Sequence, residues 1–130
     1  RTVKLQNALL KSFENWKGTR YAFGGDSSRG IDCSALTRRV YREVFSFELP
    51  RVTKDQIKVG RHVSRNNLKP GDILYFRPDG KYNHTAVYLG NSLFINASSS
   101  KGVILSSMEH SYWSKYFVHG VRVDTASANV

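Results

Sequence analysis

The spacing of apolar residues changes along the chain, with a helical period in its first part and short apolar runs in its second half. Residues 2–16 place their large apolar side chains in one helical stripe, which predicts a helix over that range. A second helical pattern starts beside Cys33 and continues to about Phe45. The segment between these helices, 18–32, is rich in Gly and Ser and is predicted to form a loop.

Further along the chain, the pattern favours one short helix and then several strands. After a break at 49–51, a short helix is expected from Thr53, with Gly60 as its C-terminal stop. Five later segments have high β propensity and are bounded by turn residues: 73–76, 84–90, 92–98, 102–107 and 116–123. A tight turn at Gly90 and Asn91 joins the second and third of them, which indicates a β-hairpin. Because no helices are predicted between these strands, the pattern favours an antiparallel sheet in an α+β fold.

Length and composition restrict the class of protein. At 130 residues and 14.8 kDa, the chain is predicted to be one domain over 1–124 with a disordered tail over 125–130. No apolar run reaches the roughly eighteen residues of a membrane span. The net charge of +10 and the pI near 10.0 indicate attraction to polyanions. Since the basic residues are scattered and match no nucleic-acid-binding motif, we predict a solvated basic face and no specific nucleic-acid partner.

Cys33 is the only cysteine, and it lies where the Gly-rich segment meets the second helix. It cannot form an internal disulfide, so it is a buried apolar residue, a free thiol or a nucleophile. At a helix N-terminus, unpaired backbone N–H groups and the helix dipole favour an anion, and this lowers the pKa of a thiol. The position therefore favours a reactive thiolate, which requires a proton acceptor nearby.

Four histidines are candidates for that acceptor. No pair of them has metal-ligand spacing, and one cysteine cannot build a thiolate zinc site, so we predict neither a metal nor another cofactor. His62 and His110 lie in polar, loop-like sequence, and His119 lies among apolar residues of the last strand. His84 opens a predicted strand directly after a turn, a place from which its side chain can reach a helix N-terminus. His84 is therefore the predicted base.

Asn96 interrupts the otherwise apolar strand that follows the Gly90 turn. A buried amide without a hydrogen-bond partner is costly, so a polar partner is expected. If the two strands pair about the turn, Asn96 and His84 lie at the same end, and the amide oxygen accepts from one imidazole nitrogen while the other faces Cys33. This spacing predicts a nucleophile, a base and an orienting amide. A buried thiol with a structural histidine remains an alternative on spacing alone.

The chain also carries a set of longer motifs: GTRYAFGGDSSRGIDCSA, LPR, LKPGDILYF, HTAVYLGNSLFINASSSKGV and SSMEHSYW. Together these motifs resemble the NlpC/P60 family of papain-like cysteine peptidases, and most closely its Gram-negative lipoprotein murein endopeptidases. The resemblance extends from about Trp16 to Val123. It implies N-terminal helices packed on a central antiparallel sheet, with a nucleophilic cysteine at a helix N-terminus.

The resemblance also assigns roles to single residues. It implies that Cys33 is the nucleophile, that His84 is the base, and that Asn96 is the third polar residue, where the family often has a second histidine. Tyr21 matches a family tyrosine whose hydroxyl points toward the nucleophile loop, and the resemblance implies a catalytic role there, in holding the oxyanion or the substrate carbonyl. The resemblance implies substrate-binding roles for Asp32, Ser34 and Arg51.

Three positions depart from the usual family pattern. Ala35, in the first turn of the nucleophile helix, replaces a glycine. Ala86 replaces a glycine in the strand that begins with His84, and it is expected to narrow the cleft there. Asn96 can orient an imidazole as the more common histidine does, but it cannot carry charge. These departures bear on rate and substrate choice more than on fold or reaction class.

By resemblance, the substrate and partner is peptidoglycan, cut at the D-glutamyl to diaminopimelate bond or at the diaminopimelate to D-alanine cross-link. The resemblance also implies a periplasmic outer-membrane lipoprotein whose only membrane contact is a lipid anchor upstream of this chain. Three other functions stay open: a catalytically silent wall-binding or adaptor domain, a basic nucleic-acid-binding module, and an acyltransferase that uses the same thioester. The motifs do not specify an oligomeric state.

Overall fold

The computed structural model describes residues 2–127 of the chain. The helices in this range are α1 (Thr2–Trp16), α2 (Cys33–Phe45), α3 (Thr53–Gln56), α4 (Ser111–Tyr116) and α5 (Asp124–Ser127), with a 3-10 turn at Arg65–Asn67. The strands are β1 (Asp26–Ser27), β2 (Gly30–Ile31), β3 (Arg61–Val63), β4 (Ile73–Phe76), β5 (His84–Gly90), β6 (Leu93–Ser98), β7 (Gly102–Ser107) and β8 (Phe117–Arg122). Within 2–127, no helix combines the length and apolar character needed to cross a membrane.

Six strands form one antiparallel sheet in the spatial order β3-β8-β4-β5-β6-β7, and β1 pairs with β2 separately. Strands β4 to β7 are neighbours both in sequence and in space, as expected for consecutive strands without intervening helices. The antiparallel pairing of β5 with β6 confirms the predicted hairpin. Its turn lies one residue later than predicted, at Asn91 and Ser92, which have left-handed φ angles of 52° and 67°. The α+β prediction is confirmed as well.

Helices α1 and α2 cover one face of this sheet. Leu9 and Phe13 lie one turn apart on α1, and Leu36 and Val40 lie one turn apart on α2, so each helix presents one apolar stripe. All four side chains are buried, and they pack in the same core as Val87 of β5. Burying such side chains contributes roughly 1.5–3 kcal/mol each, which is what holds the nucleophile helix against the sheet.

A smaller apolar cluster lies on the opposite face of the sheet. Side chains alternate between the two faces of a strand, so β5 directs Val87 toward the helices and Ala86 toward this second cluster. Trp113 of α4 packs edge-on against two rings of the cluster, those of Phe76 and Phe94. The sheet is therefore covered on both faces beside the strand that begins with His84.

Elements α4 and β3 lie outside the sequence predictions. The N–H group of Tyr112 in α4 donates to Nδ1 of His110 at 3.2 Å, and histidine is not among the usual helix-capping residues. His62, predicted to lie in a polar loop, is in β3, where its ring stacks on that of His119 with 3.7 Å between centroids. The short β1–β2 pair likewise forms inside the segment predicted to be a loop.

Helix α3 begins at Thr53 as predicted but ends at Gln56, well before Gly60. The predicted role of Gly60 as a helix stop is therefore wrong. A Cβ atom at Gly60 would lie 2.2 Å from the carbonyl oxygen of Arg122. The close approach of β8 explains the glycine instead.

Within the segment predicted to be a disordered tail over 125–130, the structure describes residues 125–127. The chain forms a last helical turn, Asp124–Ser127, and buries Ala126 in the same core as α1 and α2. The apolar contact of Ala126 supplies the order that a short polar segment lacks by itself. Residues 128–130 lie outside the described residues.

Candidate active site

Cys33 is the first residue of α2, and its nearly buried side chain lines a cleft. Asp32 is the N-cap of this helix, since its Oδ1 accepts from the N–H group of Ala35 at 2.9 Å. Its Oδ2 accepts from the N–H group of Gly24 at 2.9 Å. Gly24 has a φ of +78°, a conformation that favours glycine. The cap and the glycine together explain why the loop turns into a helix at Cys33.

Arg51 holds the same turn from outside the helix. It donates to both carboxylate oxygens of Asp32, each at 3.1 Å, and also to Ser34 Oγ at 3.0 Å and to the carbonyl of Gly25 at 3.3 Å. The three residues with predicted substrate-binding roles are thus joined in one network on the cleft wall. These bonds give Arg51 an internal structural role, and its contact with a substrate remains a prediction.

His84 opens β5 and lies beside Asn96 of the neighbouring strand β6. Its Nε2 lies 2.6 Å from Oδ1 of Asn96. The amide nitrogen of Asn96 donates to Oγ of Ser106 at 3.1 Å, which directs the amide oxygen toward the imidazole. Because an amide oxygen only accepts, Nε2 is the protonated nitrogen, and Nδ1 is left for Cys33. The expected contact between His84 and a buried Asn96 is therefore present.

The thiol and the imidazole shift each other's pKa. Burial opposes ionisation of Cys33, but hydrogen bonding and charge interaction with His84, together with the backbone N–H of Thr85, bring the thiol pKa below its ordinary value. Burial also opposes protonation of His84, but Cys33 and then Asn96 raise the imidazole pKa above its ordinary value. Both directions favour a thiolate next to an imidazolium.

Two aromatic side chains border this pair. Burial, followed by the charges of Cys33 and Asp32, raises the pKa of Tyr21 to about 12. Its hydroxyl therefore stays protonated and can donate a hydrogen bond into the cleft. Trp113 stacks on the ring of His84 with 5.1 Å between centroids, so the imidazole is restrained on its face as well as at Nε2.

Sequence reasoning missed Trp113 and Ser106 as site residues. Helix α4 places the Trp113 ring against the His84 ring, and the pairing of β6 with β7 places the Ser106 hydroxyl beside the Asn96 amide. Both residues lie in the motif SSMEHSYW. That motif was the available signal, but it does not say which of its side chains face the site.

The cleft has a volume of about 1370 Å³. Four basic residues contribute to its lining: Arg51, Lys54, Lys81 and Lys101. Among the lining residues that the structure describes, Asp32 is the single carboxylate, and Arg51 neutralises it. The remaining charge along the cleft is therefore positive, which favours an anionic ligand.

The remaining positions considered in the sequence, Ala35, Ala86 and His119, are not among the residues that line the cleft. Ala86 does not line the cleft but is buried with Phe76 and Phe94, so the prediction that it narrows the cleft is wrong. Ala35 is fully buried in the first turn of α2. His119 is half-buried on β8, and burial, followed by His62 and Arg77, lowers its pKa. Within 2–127, no three His, Cys, Asp or Glu side chains are grouped as metal ligands.

The profile of the NlpC/P60 family matches residues 18–122, from the loop before the nucleophile to the end of β8. The chain belongs to the NlpC/P60 family. This assignment agrees with the motifs quoted above and with the observed α+β fold. Since the matched range contains Tyr21, Cys33, His84 and Asn96, the whole site lies inside the NlpC/P60 domain.

Named relatives are similar over most of this domain. The murein DD-endopeptidase MepS/murein LD-carboxypeptidase of Escherichia coli (strain K12) is 43% identical over 123 residues, which cover 95% of this chain and 65% of that protein. A probable endopeptidase NlpC homolog of Haemophilus influenzae is 43% identical over 116 residues, which cover 89% of this chain and 62% of that protein. The chain thus spans less than two thirds of the length of either relative.

A solved structure has the same fold. The NlpC/p60 domain of the peptidoglycan hydrolase SagA matches with a TM-score of 0.76 and 28% identity, covering 90% of this chain and 97% of that one. The match covers most of both chains, so the six-stranded sheet and its helices have the fold of that NlpC/p60 domain.

Proposed function

We propose that this domain is a cysteine endopeptidase that hydrolyses amide bonds in peptidoglycan peptides. The observation that carries the proposal is the arrangement of Cys33 at a helix N-terminus beside a His84 imidazole that Asn96 orients, at the edge of an open cleft. The endopeptidase names of two relatives with 43% identity support the reaction class. The scissile bond is either D-glutamyl to diaminopimelate or diaminopimelate to D-alanine.

In the first half of the proposed reaction, Nδ1 of His84 takes the thiol proton, and Sγ of Cys33 attacks the carbonyl carbon of the scissile amide. Negative charge develops on the carbonyl oxygen. The backbone N–H of Cys33, at the start of α2, and the protonated hydroxyl of Tyr21 are the proposed donors to that oxygen.

In the second half, the protonated His84 gives its proton to the departing amine as the C–N bond breaks, and this leaves a thioester on Cys33. His84 then takes a proton from water, whose oxygen attacks the thioester carbon. The C–S bond breaks, the carboxylic acid product leaves, and the proton returns to the sulfur. Asn96 keeps Nε2 engaged throughout, so Nδ1 faces the reacting atoms in each step.

The charge of the cleft supports an anionic substrate. Lys54, Lys81 and Lys101 line it, and stem peptides of peptidoglycan carry free carboxylates. Arg51 donates hydrogen bonds to Asp32 and Ser34. These three residues are proposed to form one wall of the substrate subsite. A substrate in the cell wall implies a cell-envelope location, and attachment as a periplasmic lipoprotein belongs to the same proposal.

The proposal is tested by mass spectrometry of muropeptides after purified peptidoglycan is incubated with the protein, with Cys33→Ala and with His84→Gln. We expect new fragments with the unaltered protein alone, and their masses identify the bond. His84→Gln keeps the thiol but lacks the base, so we expect a loss of rate of about 10²- to 10⁴-fold.

Two results would contradict the proposal. If the unaltered protein sediments with peptidoglycan but produces no fragments, the wall-binding alternative is favoured. If the acyl group is transferred to an added amine in preference to water, the acyltransferase alternative is favoured.

A further inference from the structure

Gln56 is a fully buried polar side chain that has no part in the mechanism above. Its Nε2 donates to the carbonyl of Ser34 and to the carbonyl of Pro50, each at 2.9 Å. Its Oε1 accepts from Oγ1 of Thr85 at 2.9 Å. Both amide hydrogens and the amide oxygen are thus bonded, as a fully buried amide requires.

The partners of Gln56 are chain neighbours of the two reacting residues. Ser34 follows Cys33 in the first turn of α2, and Thr85 follows His84 in β5. Apolar side chains pack α2 on the sheet, and such contacts are not directional. The hydrogen bonds of Gln56 have a defined geometry, so they set where the first turn of α2 lies along β5.

The position of Thr85 matters directly to the nucleophile. Its backbone N–H lowers the pKa of the Cys33 thiol, and its side-chain hydroxyl donates to Gln56. Cys33 begins α2, and His84 and Thr85 begin β5, so a shift of β5 relative to α2 would change the distance from the sulfur to the His84 ring. The bond to Pro50 also ties the residue before Arg51 to the same amide.

We propose that Gln56 is a positioning residue that fixes the nucleophile helix against the strand carrying the base. Gln56 acts through Ser34 and Thr85 and touches neither the substrate nor the reacting atoms. The proposal rests on the proposed function of Cys33 and His84 as nucleophile and base. Its test uses the reactivity of the thiol, which can be measured without a peptidoglycan substrate.

The experiment measures the rate of alkylation of Cys33 by iodoacetamide as a function of pH. Gln56→Leu removes all three bonds, and Thr85→Val removes one of them. Two matched variants serve as controls. Gln6→Leu removes a glutamine that donates to the carbonyl of Leu89 at 3.1 Å, near the other end of β5. Thr37→Val replaces a buried threonine of α2 whose hydroxyl has no hydrogen-bond partner in the described structure.

We expect Gln56→Leu to move the midpoint of the alkylation profile upward by about one pH unit, which makes alkylation about tenfold slower below the midpoint. Thr85→Val should also move the midpoint upward, but by less than one pH unit. Thr85→Ser keeps the hydroxyl and should therefore have the profile of the unaltered protein. Both controls should keep that profile. If peptidoglycan is cleaved, Gln56→Leu should lower kcat by up to about 100-fold.

A Gln56→Leu protein with a lower Tm but an unchanged alkylation profile would overturn the proposal, because a merely structural role predicts that result. If Gln56→Leu does not fold, Thr85→Val decides the question, and an unchanged profile in that variant overturns the proposal too. If the shifts occur but the unaltered protein does not cleave peptidoglycan, the positioning role is supported while the proposed function fails.

Discussion

The nucleophile and the base lie on two sides of the active site that are assembled differently. On the nucleophile side, Asp32 accepts from the N–H groups of Gly24 and Ala35, which are close to it in sequence. On the base side, His84 depends on Asn96 of a second strand, which in turn depends on Ser106 of a third. Short-range capping therefore starts the nucleophile helix, and Arg51 and Gln56 add bonds from further along the chain. The base side depends on the pairing of strands.

The two sides should respond differently to mutation. In β6 and β7, Asn96 is paired with Ile104, and a slip of one residue would send the amide to the opposite face of the sheet. Removing a group on the base side should therefore disturb the orientation of the imidazole, and hence the rate. Removing Arg51 on the nucleophile side should leave the buried carboxylate of Asp32 without its cation, and hence lower stability.

Among Asn96→Ala, Arg51→Met and Ala86→Gly, the largest effect is expected for Asn96→Ala, on the base side. The imidazole loses the acceptor for Nε2, so we expect kcat/KM to fall by about 10- to 100-fold. Asn96 raises the pKa of His84, so its removal lowers that pKa. The alkaline limb of the pH–rate profile, where the imidazolium loses its proton, should therefore move to lower pH.

To test this, kcat/KM is measured across the pH range for the unaltered protein, for Asn96→Ala and for the control Asn15→Ala. The control removes an exposed amide on α1. Asn15 donates to Glu43 and has no contact with the site. An alkaline limb that stays in place, or a limb that moves equally in the control, would show that Asn96 does not set the imidazole pKa.

A smaller effect is expected on the nucleophile side, for Arg51→Met. Asp32 loses the paired bonds from the guanidinium while its carboxylate stays buried. We expect the free energy of unfolding to fall by about 1–3 kcal/mol, toward the lower figure because Arg51 is partly exposed. Urea unfolding with linear extrapolation measures this change.

Arg42→Met is the matched control for Arg51→Met. Arg42 also makes two bonds to one carboxylate, that of Glu48, but this pair is exposed. We expect a much smaller change in the free energy of unfolding, since water solvates both charges. If the free energy of unfolding falls equally in the two variants, the burial of Asp32 does not make the Arg51–Asp32 pair more stabilising than the exposed Arg42–Glu48 pair.

The smallest effect is expected for Ala86→Gly, on the strand that carries the base. Ala86 is buried in the second apolar cluster and does not line the cleft. We expect a loss of about 1 kcal/mol in the free energy of unfolding, from backbone entropy and the lost methyl group, with kcat and KM unchanged. Thermal unfolding and steady-state kinetics test both parts, and a lower KM would restore the idea that Ala86 narrows the cleft.

Much of this site follows from short patterns in the chain. Cys33 at the start of a helical pattern, His84 at the start of a strand and Asn96 within an apolar strand indicate the arrangement that the structure brings together, although the spacing alone leaves a buried structural thiol as an alternative. The resemblance to the NlpC/P60 family is what assigns a role to each of the three residues. Gln56 was not predictable in the same way. It lies in the polar segment VTKDQIKVG, which resembles an exposed helix until the fold buries it.

The sequence by itself determined the features that depend on neighbours along the chain. The helix starting at Cys33, its cap and the turn between β5 and β6 depend on residues within about one turn of one another. The tertiary structure alone decided which polar side chains are buried together and on which face of the sheet the side chain of Ala86 lies. The physical reason is that burial and register depend on residues far apart in the chain, which become neighbours only when the sheet and its helices pack.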